Sequence, residues 1–481
     1  MRDNRNRIML VNAPSRREVE AAGNASCFPP LNLASLATAV KNAHSAIKPE
    51  IMIADGSIHS TDEIKKKIDG FGPGIVGIGI LTPTYREGRA IAQYAHEKGA
   101  KVVFGNDHAS IFAEQIMENC SYVDYVVKAE EGGAPFSYIV GMENGLPGMP
   151  PAQGNGGKRA KVFFRQGKSV ASLEFPEKRL VMVPDFGFVP KEDMSRYAEN
   201  YNKRYRRFHK RERTPGLINN ATGCSNGKHP CIYCGIYDLG LNLGPAEHFW
   251  KMVANANEKY GMDFFMETYD NFLSSPRYVK ALLGAMDRAG INPAESGIEF
   301  EVYSRTDDIL AQKESVELFK KMNVTRVNFG VDSGDDRILA ALGKNMDRHL
   351  GMRPSEINYR AIEMVANTGM TFQMSFVLGA RGETQESLGN TVEFARAVAK
   401  NFPNAMALVE ASELAPLPNS PSWKIMHGNA PLETDEPDMQ AVVGEWLERF
   451  TEVSMGMIDD AKAQIGKIAG ERGIARNSFF G

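Results

Sequence analysis

From residue 7 to about residue 141, short unbroken apolar runs alternate with stretches that carry apolar residues at helical spacing. Residues 7–14, 50–55, 74–82, 101–105 and 124–128 read as buried strands, and residues 31–43, 86–98 and 110–118 as helices. Strands covered on both faces show continuous apolar runs, so this rhythm predicts an α/β domain built on a doubly wound, Rossmann-like parallel sheet. Ligands of such sheets sit in the crevice beyond the carboxyl ends of the strands. Those ends carry Asn12, Asp55, Thr82, Gly105 and His108. None belongs to a G-x-G-x-x-G turn, which leaves a dinucleotide site without support.

Past residue 216 the rhythm changes. Apolar runs at 217–222, 263–268, 297–303, 326–331, 371–378 and 407–411 are separated by helical stretches at 246–259, 276–289, 313–322, 355–368 and 385–399. Six strand-and-helix repeats predict a partial (β/α)6 TIM-like barrel, whose reactive face is the carboxyl end of its strands. Between the two blocks, residues 147–158 read as a Gly/Pro-rich loop and 160–173 as a hairpin turning near Gly167. Residues 203–213 form a basic run interleaved with aromatics, a pattern that is more often a solvated helix face than a nucleic-acid contact. The tail from residue 439 reads as one or two helices. The expected domains are 1–145, doubly wound; 146–215, a linker with hairpin and basic helix; 216–425, the barrel; and 426–481, a C-terminal helical segment.

Three of the five cysteines, Cys224, Cys231 and Cys234, fall within eleven residues of the loop that follows the first barrel strand. Three thiolates can hold three irons of a [4Fe-4S] cube and leave the fourth open, whereas a tetrahedral zinc shell needs a fourth protein ligand. The nearest candidate for that ligand, His229, lies inside the same loop, and no second Cys/His pair follows. The cluster is therefore the favoured reading and structural zinc its rival. An odd cysteine count and the charged opening Met1-Arg-Asp-Asn-Arg-Asn-Arg argue against disulfides and predict a reducing, cytoplasmic setting. Cys27 and Cys120 read as isolated thiols. A net charge of −3 over 481 residues argues against a nucleic-acid protein as a whole. No apolar run reaches the roughly 18 residues a membrane helix needs.

Further motifs stand in order along the chain: Phe28-Pro-Pro-Leu-Asn-Leu-Ala34, Gly105-Asn-Asp-His-Ala-Ser110, Glu267-Thr-Tyr-Asp-Asn-Phe272, Gly330-Val-Asp-Ser-Gly-Asp-Asp336, Gly379-Ala-Arg-Gly-Glu-Thr384 and Leu414-Ala-Pro-Leu-Pro-Asn-Ser-Pro421. With the cysteine loop and the domain order, they resemble the radical S-adenosylmethionine (radical SAM) enzymes, in the class with an N-terminal cobalamin-binding domain. That class reads Y-P-P-L-G-L-A, G-G-x-H-x-T, D-D-x-F, G-x-E-S-G-D, G-L-P-G-E-T and L-x-P-x-P-G-T-P at the corresponding places. Two departures stand out. The family usually spaces its cysteines C-x3-C-x2-C, whereas Cys224 and Cys231 here have six residues between them. Asn106 replaces a glycine, and Lys128-Ala-Glu-Glu-Gly-Gly133 replaces R-G-E-G-E.

The resemblance implies a [4Fe-4S] cluster on Cys224, Cys231 and Cys234, with S-adenosylmethionine on its open iron. Tyr233 would then flank the adenine, Glu267 receive the methionyl ammonium, Arg305 the carboxylate and Asp332 the ribose; the plain alternative for the last three is a polar barrel mouth or a salt bridge. Asn12, Thr82, Gly105 and His108 would line a corrinoid in the cobalamin-binding-type first domain. A histidine acting as lower axial ligand needs D-x-H-x-x-G, but Asn106 and Ile111 occupy the flanking positions, so His108 reads as lining the nucleotide tail or as an ordinary loop histidine. The implied chemistry is a 5′-deoxyadenosyl radical abstracting hydrogen from an unactivated carbon. With cobalamin bound the outcome is C-methylation; without it, a dehydratase, mutase or cyclase. A non-catalytic iron-sulfur or corrinoid sensor is the alternative of another class. The expected partners are a small-molecule substrate and an electron donor such as flavodoxin or ferredoxin, with RNA a distant third by way of 203–213.

Overall fold

Five parallel strands, β1 (Arg7–Asn12), β2 (Glu50–Asp55), β3 (Ile75–Gly79), β4 (Lys101–Gly105) and β5 (Tyr125–Lys128), form the first sheet in the order β2-β1-β3-β4-β5. The order reverses at β1, so the crevice a doubly wound sheet offers to ligands opens beyond Asn12 and Gly79. The hairpin of β6 (Arg159–Gln166) and β7 (Ser169–Pro176) pairs antiparallel onto β5 and extends the sheet to seven strands. The structure, a computed structural model, describes residues 4–15, 26–146, 159–167, 169–176, 182–224, 230–235, 241–312, 314–344, 346, 350–428, 434–470 and 474–477. His229 and the loop at 147–158 lie outside the described residues.

Two compact units result, one of residues 1–201 with 431–437 and one of 202–430 with 438–481. The stretch 146–215 is thus divided: the hairpin and most of the helix Lys191–Tyr205 go with the first unit, the basic run with the second. In the first unit the helix Thr61–Phe71 adds to the expected ones. It buries only Ile64 and Ile68, and it is fixed locally by a capping box between Ser60 and Glu63 and by Gly72 at its end with φ 61°.

The second unit is a sheet of seven parallel strands in sequence order: β8 (Pro215–Ile218), β9 (Phe264–Glu267), β10 (Glu299–Tyr303), β11 (Val324–Asp332), β12 (Thr371–Leu378), β13 (Met406–Glu413) and β14 (Ile474–Asn477). The first six are those expected. The tail departs from an all-helical segment, because after the helices Met439–Phe450 and Met455–Gly470 it returns as β14 and pairs with residues 408–411 of β13. Pairing there covers what would otherwise be an open edge. Side chains alternate along these strands. Phe372, Met374, Phe376 and Leu378 of β12 are buried, while Thr371, Gln373, Ser375 and Val377 between them are half-buried. Phe300 meets Phe249 and Trp250 of the outer helix Ala246–Tyr260, so its neighbour Glu301 points into the lumen.

Only the start of the basic run is helical, and most of its charges are solvated. The helix ends at Tyr205, a short turn spans Arg206–Phe208, and the chain then closes the amino-terminal end of the barrel. Arg326 of β11, 1% exposed, is ion-paired with Glu301 at 3.1 Å and lies over the rings of Tyr205 at 4.5 Å and Phe208 at 5.6 Å. Arg213 pairs with Glu299 and Asp263, and His209 hydrogen-bonds Glu299 at 2.8 Å. Burial, then Arg326 and Arg213, push the pKa of His209 down to about 3, so this imidazole is neutral. Arg213 and His209 are thus spent inside the fold, while Lys203, Arg206, Arg207, Lys210 and Arg211 of the run stay exposed. No helix among the described residues is long and apolar enough to cross a membrane.

Candidate active site

The cysteine loop leaves β8 at the carboxyl end of the barrel, where parallel strands present their functional residues. Its second half is anchored by three backbone hydrogen bonds: Ile232 N to Leu342 O at 3.0 Å, Cys234 N to Cys231 O at 2.9 Å, and Ser422 N to Ile232 O at 2.8 Å. Gly343, with φ 76°, makes the left-handed turn after the helix Asp336–Ala341 that brings the chain against the loop; a Cβ there would only touch the Cα of Cys231 at 3.6 Å, so the backbone angle rather than space is what favours glycine. All three thiols are half-buried and unbridged.

Around Cys231 the structure gathers three of the residues expected from sequence. Asp332, at the end of β11, is 2% exposed and accepts a hydrogen bond from the Tyr233 hydroxyl at 2.7 Å. It also pairs with Lys344 Nζ at 2.8 Å. Its backbone is left-handed, φ 61°, at a register shift between β11 and β12, a conformation that costs an L-residue about 1 kcal/mol and that tends to be kept where function needs it. Burial, then Asp332 and Cys231, push the Tyr233 phenol well above its usual range. Burial opposes the charge on Lys344, but Asp332 and Cys231 outweigh it and raise its pKa. Arg305, two residues past β10, grips Asp307 with both ends of its guanidinium, at 3.0 and 2.7 Å. Burial opposes its charge too, and Asp307, Asp308 and then Cys231 raise its pKa. Two cations thus stand in the field of one thiol.

Glu267 lies elsewhere on the rim. It ends β9, is 2% exposed, and accepts the backbone N–H of Asn220 at 3.4 Å, just ahead of Cys224. Asn220 is held in turn by Pro245 O, Tyr278 and His248. Sequence reasoning missed Lys344, and it missed the lumen residues Glu301, Tyr303, Asn328, Gln373 and Glu410. The signal was available: parallel barrel strands are normally continuous apolar runs, and polar residues at every second position mark an inner wall that meets something other than hydrocarbon.

In the first unit Asn12 exchanges hydrogen bonds with Asn32 and Asp55, at 2.9 and 3.3 Å, over the crevice at β1. Gly105 ends β4 with open space around the position of a Cβ. Asn106 takes φ 75°, the conformation a glycine adopts freely and asparagine tolerates better than most residues, which accounts for asparagine at a position where glycine was expected. His108 is packed inward, 1% exposed, between the rings of Tyr85 at 4.2 Å and Phe112 at 4.5 Å. Its Nδ1 lies 3.2 Å from the Thr82 hydroxyl, and burial lowers its pKa to about 4. Thr82 and His108 therefore touch, while Asn12 and Gly105 stand at the open ends of β1 and β4.

Three soft sulfur donors, one of them with two cations in its field, suit an iron-sulfur cluster, whose thiolates carry excess negative charge. Among the described residues no three His, Cys, Asp or Glu side chains form a metal-ligating group. At the open end of β4, Gly105 and the left-handed Asn106 leave the approach that a flat macrocycle needs.

Comparison with known proteins agrees with both halves. The radical SAM superfamily profile matches residues 218–395, and the B12 binding domain profile matches residues 21–135. The chain is 22% identical over 396 residues to the anaerobic magnesium-protoporphyrin IX monomethyl ester cyclase of Rubrivivax gelatinosus, covering 78% of this chain but only 63% of the cyclase. It is 23% identical over 407 residues to an uncharacterised methyltransferase of Pyrococcus horikoshii, covering 81% of this chain and 78% of that protein. The fold is also that of the radical S-adenosylmethionine methyltransferase TsrM from Kitasatospora setae, a structure with cobalamin and a [4Fe-4S] cluster bound, with a TM-score of 0.67, 15% identity and coverage of 99% of this chain and 92% of that one. The chain belongs to the radical SAM superfamily, in the group that carries a B12-binding domain ahead of the barrel.

Proposed function

We propose that this chain is a cobalamin-dependent radical SAM enzyme that methylates an unactivated carbon of a small molecule. The observation that carries the reading is the rim at Cys231, where Tyr233, Asp332, Lys344 and Arg305 meet beside a loop of three thiols. When bound, a [4Fe-4S] cluster with S-adenosylmethionine supplies a carbon-centred radical able to take hydrogen from an unreactive C–H bond, and a corrinoid supplies the methyl group. The residues of the chain hold and orient. Cys224, Cys231 and Cys234 bind iron as thiolates, and Arg305 and Lys344 stabilise their negative charge. Asp332, held by Lys344 and Tyr233, would accept ribose hydroxyls, and Tyr233 would flank the adenine. Glu267 would receive the methionyl ammonium and Arg305 its carboxylate, with Asp307 keeping the guanidinium in plane. Asn12, Thr82 and Gly105 would line the corrinoid, and His108, sandwiched between rings, would act by supporting Thr82. A flavodoxin or ferredoxin would deliver the electron.

The test is anaerobic purification with iron, sulfide and absorbance measurements, followed by reduction in the presence of S-adenosylmethionine bearing a deuterated methyl group. The expected outcome is about four irons per chain, a corrinoid spectrum, and 5′-deoxyadenosine formed with a labelled product. A colourless protein holding zinc would refute the reading. The similarity to a cyclase favours a second reading, in which 5′-deoxyadenosine appears and no label is transferred.

A further inference from the structure

The cysteine loop is anchored at two places, and the two are independent. Its second half hangs on Leu342 and Ser422 through the backbone of Ile232. Cys224 is separated from Cys231 by six residues, a spacer that reaches about 20 Å when extended, so the anchor at Ile232 leaves the place of the first thiol open. That place is set where the loop leaves the barrel and returns to it. A two-residue antiparallel ladder of Ala221–Thr222 against Asn242–Leu243 joins the two ends there, and the residue just ahead of it is Asn220.

Asn220 is 1% exposed, and every polar group it carries is engaged. Its side-chain Nδ2 donates to Pro245 O at 3.0 Å and to the Tyr278 hydroxyl at 2.7 Å, and its backbone oxygen accepts the Gly244 N–H at 2.7 Å. A carbonyl can only accept, so the bond to Pro245 fixes which way the amide faces and leaves Oδ1 to accept from His248 Nδ1, 3.0 Å away. Its own N–H is directed at Glu267, 3.4 Å away. One residue thus ties the outgoing chain to the returning one, to the start of the helix Ala246–Tyr260 and to the helix Pro276–Arg288. Gly244 is required for this approach: a Cβ there would stand 2.4 Å from Asn220 Oδ1 and 2.8 Å from its backbone oxygen, closer than side chains come to other atoms.

We infer that Asn220 is the positioning residue of Cys224: by closing the base of the loop it holds the first thiolate where the other two can share one cluster with it. It touches no reacting atom and acts through the loop. The inference rests on the radical SAM reading and concerns the seat of its cluster. Side chains that hold a metal's ligands from behind change its affinity roughly 10–100-fold when removed, which sets the effect to look for.

The test uses the full-length protein, reconstituted anaerobically with its cluster. It reads the rate at which iron passes to the chelator ferrozine, and the electron paramagnetic resonance spectrum of the reduced cluster. Three variants disturb the clamp: Asn220→Ala; Asn220→Asp, which keeps the shape but turns an acceptor toward Pro245 O; and Gly244→Ala, which pushes the amide aside. Each is expected to release iron about 10–100-fold faster and to change the spectrum. Asn257→Ala, which loses a hydrogen bond to Met262 O at 2.8 Å elsewhere in the same unit, should release iron as the unsubstituted protein does. Where the alanine variant at 220 does not fold, the other two decide. Release and spectrum unchanged in Asn220→Asp and Gly244→Ala would overturn the inference, and so would an equal acceleration in Asn257→Ala, which would mark a general loss of stability. An unsubstituted protein that binds no iron sinks the cluster and the inference with it, whereas a cluster held equally well by every variant sinks the inference alone.

Discussion

Replacing Lys344 by methionine strands the Asp332 carboxylate. That carboxylate is 2% exposed and has two partners of this kind, Lys344 at 2.8 Å and the Tyr233 hydroxyl at 2.7 Å. Breaking a buried ion pair by removing one member costs about 3–5 kcal/mol, and the surviving phenol hydrogen bond returns about 1–1.5, so Lys344→Met should cost roughly 2–4 kcal/mol. Asp332→Asn is free of added backbone strain, because asparagine accepts φ near 61°. Combining the two changes removes the stranded charge, and the pair should cost less than the sum of the singles by about 2 kcal/mol. The pKa of Lys344 is raised in the folded state. The contribution of the pair is therefore fully present below the ordinary lysine value of about 10.4 and lost only as pH rises through the still higher folded value, so the penalty should be flat from about pH 6 to 9. Urea unfolding with hydrogen exchange read at the amides of β11 isolates this unit from the other. A loss under about 1 kcal/mol in Lys344→Met, or strict additivity in the double variant, would refute the reasoning.

Four further outcomes are expected. Cys224→Ala, Cys231→Ala and Cys234→Ala should each remove the cluster absorbance and 5′-deoxyadenosine formation, with far-ultraviolet circular dichroism unchanged. Tyr233→Phe loses one hydrogen bond to a carboxylate, about 1.5–3 kcal/mol, and should raise the KM for S-adenosylmethionine roughly tenfold or more while the cluster stays intact. The pKa of His209, held down to about 3, makes its contribution present above the unfolded value of about 6.5 and lost as pH falls toward 3, a term on the order of 5 kcal/mol that His209→Gln should flatten in acid unfolding curves. Asn106→Val should destabilise the first unit by about 1–2 kcal/mol in thermal unfolding while Asn106→Gly is near neutral, because only the former resists φ 75°.

The strands of both sheets were legible because each is a short apolar run bounded by turn residues, and the cysteines were legible because spacing alone limits what they can bind. Less visible was the helix Thr61–Phe71, whose polar sequence buries only two isoleucines and declares itself through caps rather than through an apolar stripe. β14 escaped notice because four residues carry too little pattern and only the open edge of β13 gives them a place. The burial of Arg213 and Arg326 was not legible for a physical reason: they owe it to Glu299 and Glu301, which are distant in sequence, and no local pattern reveals a partner of that kind. The same blindness hid Lys344, since its role depends on Asp332, which it meets only because the chain folds back after the helix Asp336–Ala341.

The stacked Arg326 makes the barrel of this unit a cul-de-sac. Its guanidinium, held by Glu301 and covered by the rings of Tyr205 and Phe208, stops the amino-terminal end with side chains. Traffic into this unit is thereby left to the opposite end of the strands, where Cys231 and Asp332 lie.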